Sequence, residues 1–281
     1  SSFGESKSDY DIFSCLADKL GFVNSFTENK SELDWLKYLW DESKKVSEKM
    51  NLKLPEFDKF WEDGFFEVPI ERTKKIMFKD FRDNPRINAL NTPSGKIEIT
   101  SNIIKNYNLK DCKGHPTWIE PYEWLGRKEN FPLHLISNQP EYRLHGQLDN
   151  AEYSLKNKIK DREPVLINIE DAKERNIENN DVVLIFNKRG RVLAGARLSD
   201  EIMRGVLVLS TGAWFDPDYE INTDLHGNPN VLTNDIGTSQ LSQAPTSHTC
   251  LVEIRKAKKN EIKKVQIFLK PKIQKKLEQK Y

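Results

Sequence analysis

The segment SNQPEYRLHGQLDN, residues 137–150, follows an apolar run, FPLHLI, that reads as a buried strand. Ser137, Asn138, Gln139, Arg143, His145 and Gln147 therefore cluster where a rigid strand ends. Their hydroxyl, amide, imidazole and guanidinium groups supply directional donors and acceptors, the equipment for holding a ligand with many polar edges. Arg143 adds a planar fork able to grip a phosphate or a carboxylate at two points. Taken singly, each residue also suits a surface turn, so it is the clustering that points to a ligand. A second polar cluster, HGNPNVLTNDIGTSQLSQAPTSHT, begins at His226. Within it Asn228, Pro229 and Asn230 suit a turn for backbone reasons alone.

Other chemistries find no support. His115, His134, His226 and His248 lack metal-ligand spacing, and His134, inside an apolar strand, reads as a core histidine. Cys15, Cys112 and Cys250 are far apart and odd in number, which indicates neither a disulfide framework nor a cysteine zinc site. There is no serine nucleophile elbow, and NKRGR is too short for a phosphate loop, so Gly190 is assigned to a hairpin. No residue is assigned as catalytic and none as a metal ligand.

The elements that must position these clusters are readable from periodicity. YDIFSCLADKLGF, SELDWLKYLWDESKKVSEKM and LPEFDKFWEDG space apolar residues at three and four, with Ser31 as N-cap, and predict amphipathic helices. Trp35, Trp40 and Trp61 lie at helical spacing and are expected to pack in a core. PSGKIEIT predicts a strand by alternation. From residue 131, FPLHLIS, PVLINI, DVVLIFN, RVLAGARLS and GVLVLS are short strands, with EDAKERN as one short helix and NKRG as a tight turn. The expected class is α+β: a mainly helical segment over 1–125, a β-barrel or sandwich over 126–256 and a basic tail over 257–281.

At 281 residues, 37% hydrophobic and 31% charged, the composition is that of a globular protein with a real core, and no run reaches the length of a membrane span. From Arg255 onward, 11 Lys/Arg face two Asp/Glu, so the body before it is acidic and the tail reads as a solvated charge run. The tail supports no claim for nucleic acid. SSFGESKSDYDIF has neither an initiator Met nor a signal-peptide layout, and the chain reads as a fragment.

The order of strand, EDAKERNI, acidic turn, strand, glycine turn and strand resembles the double-psi β-barrel. TGAWFDPDYE, HGNPNVLTNDIGTSQLSQAPTSHTCLVEI, RLHGQLDN and REPVLINIEDAKERNI together are similar to the C-terminal dinucleotide-binding domain of the molybdopterin oxidoreductases. Within them the chain most resembles the dimethyl sulfoxide, trimethylamine N-oxide and biotin sulfoxide reductases, over roughly residues 5–256.

That resemblance implies a bis(molybdopterin guanine dinucleotide) molybdenum cofactor, held only in part by this chain. It implies that Ser137, Asn138, Gln139, Arg143, His145 and Gln147 approach the cofactor, with Gln139, His145 and Gln147 near the pterin system. The family often has His at the position of Gln139. Trp214 and Asp216 are placed on a cofactor-side loop, Asn230 as a contact, and Asp235 as an acceptor for a guanine's ring N–H and amino group. Around Gln243, Ala244, Thr246, Ser247, His248 and Thr249 the family reads Gln-Gly, a small residue, Ser, any residue, then Gln-Thr. Ala244 and His248 depart from that pattern, and Gln243, Ser247 and His248 are carried as contacts.

The implied activity is reduction of S-oxides or N-oxides by oxygen-atom transfer. A serine ligating the metal lies upstream of the matched part in such enzymes, so this chain alone is expected to be inactive. The implied partners are the remainder of the catalytic chain, an electron donor protein or reductant, and a small S-oxide or N-oxide substrate. Neither nucleic acid nor a membrane span is expected, and the compartment is taken as periplasmic, with cytoplasmic as the alternative. The rival reading is a non-catalytic double-psi barrel serving as a binding or assembly module.

Overall fold

A computed structural model describes residues 4–69, 76–127 and 130–269. The chain divides after Asn88 into two compact units, and residues 89–125 group with the barrel instead of the helices.

The first unit holds α1 (Asp9–Lys19), α2 (Val23–Thr27), α3 (Glu32–Lys49), α4 (Phe57–Asp63) and α5 (Lys79–Asp83). Ser8 caps α1 by accepting from the Asp11 N–H, and Ser31 forms a reciprocal capping box with Asp34 at the start of α3. Trp40 stacks on Phe60 at 3.9 Å and donates to the Pro55 carbonyl. The expected aromatic core does not close, however. Trp61 is 56% exposed, and Ala17 and Ser47 are the only buried residues among those described in this unit. Leu16, Leu20, Leu39, Met50 and Phe65 are each more than half exposed. Apolar area of this extent is uncommon on a monomer's surface. In isolation the chain is expected to self-associate and to bind hydrophobic dyes. A compact, dye-silent monomer in sedimentation velocity would contradict this.

In the second unit, α6 (Asn102–Asn106) precedes the barrel. PSGKIEIT is not a strand. Ile97 and Ile99 are exposed, and a turn closed by the Leu90 N–H on the Gly95 carbonyl stands there. Alternation supplies a face, but a strand also needs a neighbour for its backbone groups, and none pairs with it among the described residues.

The barrel consists of β1 (Leu133–Ile136), β2 (Pro164–Asn168), β3 (Val182–Phe186), β4 (Arg191–Ser199), β5 (Val206–Leu209) and β8 (Leu251–Lys256). Their order is β2-β5-β1-β8-β3-β4, closed by β4 on β2. The ribbon of β6 (Pro217–Asp218) and β7 (Thr223–Asp224) extends from β4, while α7 (Glu152–Lys156) and α8 (Ile169–Glu174) flank β2. Within the barrel β1 runs parallel to β5 and β2 parallel to β4, and the other barrel pairs are antiparallel, giving the expected double-psi barrel in a mixed α+β chain.

Leu135, Val165, Ile167, Val183, Ile185, Val192, Leu207 and Val252 fill the interior without measurable exposure. β1 and β2 alternate buried and half-buried residues, so His134 lies half-buried on the outer face and is not a core histidine. β3 is apolar throughout because both of its faces are covered. Val183 and Ile185 join the interior, whereas Val182 and Leu184 pack with Leu193, Leu225 and Ala257 outside it. NKRG is the expected hairpin turn, closed by the Asn187 N–H on the Gly190 carbonyl. Gly190 is needed because any Cβ there would collide with the Val231 carbonyl.

Strand directions decide where the polar clusters sit. β1 and β5 end, and β2 and β8 begin, at one end of the barrel, so the connections 137–163 and 210–250 both leave from that rim. Residues 257–269 do not float free as a solvated tail. Ala257 and Val265 are buried, and the Ala257 N–H donates to the Val182 carbonyl. The remainder of that basic segment, 270–281, lies outside the described residues. No described helix is long and apolar enough to cross a membrane, and no metal-binding cluster occurs among the described residues.

Candidate functional site

Beneath the 137–147 loop lies a buried charge quartet. Lys158 Nζ stands 2.6 Å from both Asp149 Oδ1 and Glu163 Oε2. Arg143 reaches the same carboxylates, with Nε 3.3 Å from Asp149 and Nη1 3.2 Å from Glu163 Oε2. Nη2 of Arg143 donates to the Thr211 carbonyl at 3.0 Å. All four side chains are nearly inaccessible, and two cations against two carboxylates make the group neutral, the condition under which buried charge is tolerated. Of the partners open to Arg143 from sequence, the fork grips carboxylates of its own chain. It orders the loop.

The other carboxylate oxygen of Asp149 accepts the Trp214 N–H at 3.0 Å, and the Trp214 indole N–H donates to the Gly146 carbonyl at 2.6 Å. Trp214 is thus half-buried and spent on tying the 211–214 segment to the 143–149 loop. His145 and Leu148 adopt left-handed backbone, with φ of 50° and 57°. Asn138 accepts the Thr211 N–H through its carbonyl and the Ser210 hydroxyl through its side chain, both at 2.9 Å.

On this frame Asn138, Gln139, His145 and Gln147 are exposed and Ser137 is half-buried. Gln139 Nε2 and His145 Nδ1 lie 3.0 Å apart. Beside them a cavity of about 140 Å³ is lined by Asn138, Gln139, Arg143, Ser154, Lys158 and Ser210, among others. Ser154 Oγ is buried there without a hydrogen-bond partner.

A further buried layer supports the second cluster. The Asp224 carboxylate accepts the N–H groups of His226, Gly227 and Asn228 on one oxygen and that of Asp216 on the other. Burial still pushes its carboxyl above the usual range, against the pull of those four donors. His226 is fully buried, with Nδ1 2.9 Å from the Trp214 carbonyl, which requires the proton on that nitrogen. Nε2 has no partner, and burial, then the nearby Lys158 charge, lowers the imidazole from its ordinary value.

Asn228 accepts from the Asn230 N–H at a short 3-10 turn, leaving the Asn230 side chain exposed. Asp235 and His248 are exposed, and Ser247 is half-buried. Gln243 donates to the Ser239 carbonyl at 3.1 Å inside a small hairpin that pairs Gly237 with Pro245. Both connections that carry the predicted residues therefore leave from one end of the barrel, with Arg143 and Trp214 turned inward as supports, while the 237–245 hairpin bonds through Gln240 to Lys110 and Asp111. Sequence reasoning missed Asp149, Lys158, Glu163 and Asp224 as supports and treated His226 only as a rejected metal ligand. The available signal was charge packed tightly around an apolar strand in KNKIKDREPVLINI.

Residues 133–251, from the first barrel strand to the last, match the family described as Molydopterin dinucleotide binding domain. Over that span the barrel is similar to this family. The chain containing it is 43% identical over 260 residues to the trimethylamine-N-oxide reductase of Haemophilus influenzae, covering 90% of this chain and 32% of that protein. It is 42% identical over 252 residues to the biotin sulfoxide reductase of Cereibacter sphaeroides, covering 89% and 34%. It is 39% identical over 257 residues to a dimethyl sulfoxide/trimethylamine N-oxide reductase of Rhodobacter capsulatus, covering 90% and 31%. The chain thus spans about a third of the length of these curated relatives. Among solved structures, acetylene hydratase from Pelobacter acetylenicus shares the fold, with a TM-score of 0.66 at 15% identity over 91% of this chain and 33% of that one.

Proposed function

We propose that this chain is the C-terminal, cofactor-holding part of a molybdenum enzyme that reduces S-oxides or N-oxides. The observation that carries the reading is the exposed amide and imidazole set, Asn138, Gln139, His145 and Gln147, on a loop fixed by buried charge at the rim of a barrel similar to the molydopterin dinucleotide binding family. The donor set fits a bis(molybdopterin guanine dinucleotide) cofactor, whose pterins and guanines present many polar edges and need no metal ligand from these residues. Ser154, buried and unpartnered beside a cavity of about 140 Å³, offers a hydroxyl to one small polar group, and the bulk of a dinucleotide would lie across the open rim.

Ser137, Asn138, Gln139, His145 and Gln147 would face the pterin side, and Asn230, Asp235, Gln243, Ser247 and His248 would contact the cofactor from the second connection. Arg143 and Trp214 would hold the frame beneath it. When bound, the cofactor supplies two-electron oxygen-atom transfer, with electrons from a separate donor. This chain's residues bind, orient and shield it, and the remaining two thirds found in the relatives would complete the substrate site.

His145→Ala, in this chain combined with an upstream polypeptide covering the rest of a relative's length, tests the reading. It removes a directed contact worth about 0.5–1.5 kcal/mol, or roughly 2- to 12-fold in cofactor affinity. Pterin and molybdenum per folded chain should fall while circular dichroism is unchanged, and Lys188→Ala in the NKRG turn should alter neither. Full retention in the His145 variant, or loss of fold in place of cofactor, would remove His145 from the site.

A further inference from the structure

We infer that residues 258–269, beyond the matched domain, form a clasp that positions the 214–228 loop for the cofactor, with Phe268 and Lys263 as positioning residues. The inference rests on the cofactor reading above. The clasp meets the loop at successive points. Lys263 Nζ lies 2.9 Å from Asp218 and 2.8 Å from Glu220. The Gln266 N–H donates to Asp216 Oδ2 at 2.7 Å. The Phe268 ring stands edge-on to His226, with centroids 4.7 Å apart, and packs at 5.7 Å on Trp214.

The clasp is itself anchored. Val265 is buried, the Arg162 guanidinium donates to the Lys263 carbonyl, and Glu261 pairs with Arg191 and Arg255. Its hydrogen bonds to Arg255 first of all hold the Glu261 carboxyl down to about 2.

The consequence runs through His226. Its Nε2 is an acceptor buried without a partner, a costly state that hydration would relieve, so the ring keeps its place only while packing covers it. Phe268 packs against that ring. With the aromatic cover gone, water can donate to Nε2 and draw the ring out of its packed position, loosening the Nδ1–H bond to the Trp214 carbonyl. The Asp224-centred turn, which presents Asn228 and Asn230, then loses the partner that fixes its depth against Trp214. Phe268 thus acts on the cofactor only through Trp214 and His226.

The test uses the same combined enzyme with Phe268→Ala and Phe268→Leu. Hydrogen exchange of the amides at 225–228 should accelerate in the alanine variant. Pterin affinity should fall by about tenfold, the scale typical of residues that support a ligand's direct contacts. Leucine, which refills most of the volume, should recover both. Unchanged exchange at 225–228, or a loss of protection spread evenly over the barrel, would overturn the clasp. If Phe268→Ala does not fold, Lys263→Ala decides, since it severs only the ion pairs to Asp218 and Glu220. Faster exchange at 225–228 then supports the clasp, and unaltered exchange refutes it. A wild-type enzyme that retains no pterin would defeat the cofactor reading, while the exchange data would still judge the clasp.

Discussion

Lys158→Ala is expected to destabilise the barrel by about 3–5 kcal/mol, because it leaves Asp149 and Glu163 buried together with one cation between them. The double variant Lys158→Met with Glu163→Gln restores charge balance in the quartet and should recover much of that loss. The effect should also depend on pH through His226. Burial and the Lys158 charge keep this imidazole neutral, so its folded-state value lies below its unfolded one. Such a group contributes stability that is complete above the unfolded value, about 6.5, and declines as pH falls below it. Removing Lys158 relaxes the depression, and a protonated His226 with Nδ1 3.7 Å from Asp149 becomes less unfavourable. The gap between wild type and Lys158→Ala should therefore be narrower at pH 5 than at pH 8. Urea midpoints at the two values measure it. A gap of under 1 kcal/mol at pH 8, or one that widens in acid, would show that the quartet is not the support described.

The strands of the barrel were legible because burial on one or both faces writes itself as short Val, Ile and Leu runs between turn residues, as in DVVLIFNKRGRVLAGARLS. The rim loops were legible as polarity at strand ends. The quartet was not, because Arg143 and Glu163 are 20 residues apart and NKIKDRE looks like a solvated charge run until the loop folds back on it. Histidine burial was hard to read for the same reason. His134 has apolar neighbours in sequence, but the pleat turns it outward, and His226 sits in polar text but is enclosed by Trp214 and Phe268. PSGKIEIT has strand periodicity and no strand partner. In the basic tail, the number of lysines masked Val265, which is buried, and Phe268, which packs on Trp214 and His226.

Gly212→Ala should be the most damaging single methyl group at the rim. Gly212 has φ of +90°, where L side chains carry strain of about 1–3 kcal/mol. A Cβ there would also overlap the His145 carbonyl and come within 2.8 Å of the Gly146 nitrogen. Neither neighbour can yield cheaply. His145 is already in left-handed backbone, and Gly146 is held by the Trp214 indole through its own carbonyl. The shift must pass into the 143–149 loop, moving the His145 ring away from Gln139. Gly205→Ala separates strain from collision, since Gly205 has φ of +81° but meets only the Leu125 side chain, at 3.8 Å. It should lose stability of the strain alone and keep its pterin. Gly212→Ala should lose at least about 2 kcal/mol more, on the scale of an overpacked core, and most of its cofactor. Equal losses in the two variants would mean that the 211–214 segment and the His145 loop move independently, and that the close approach at Gly212 does not set the position of His145.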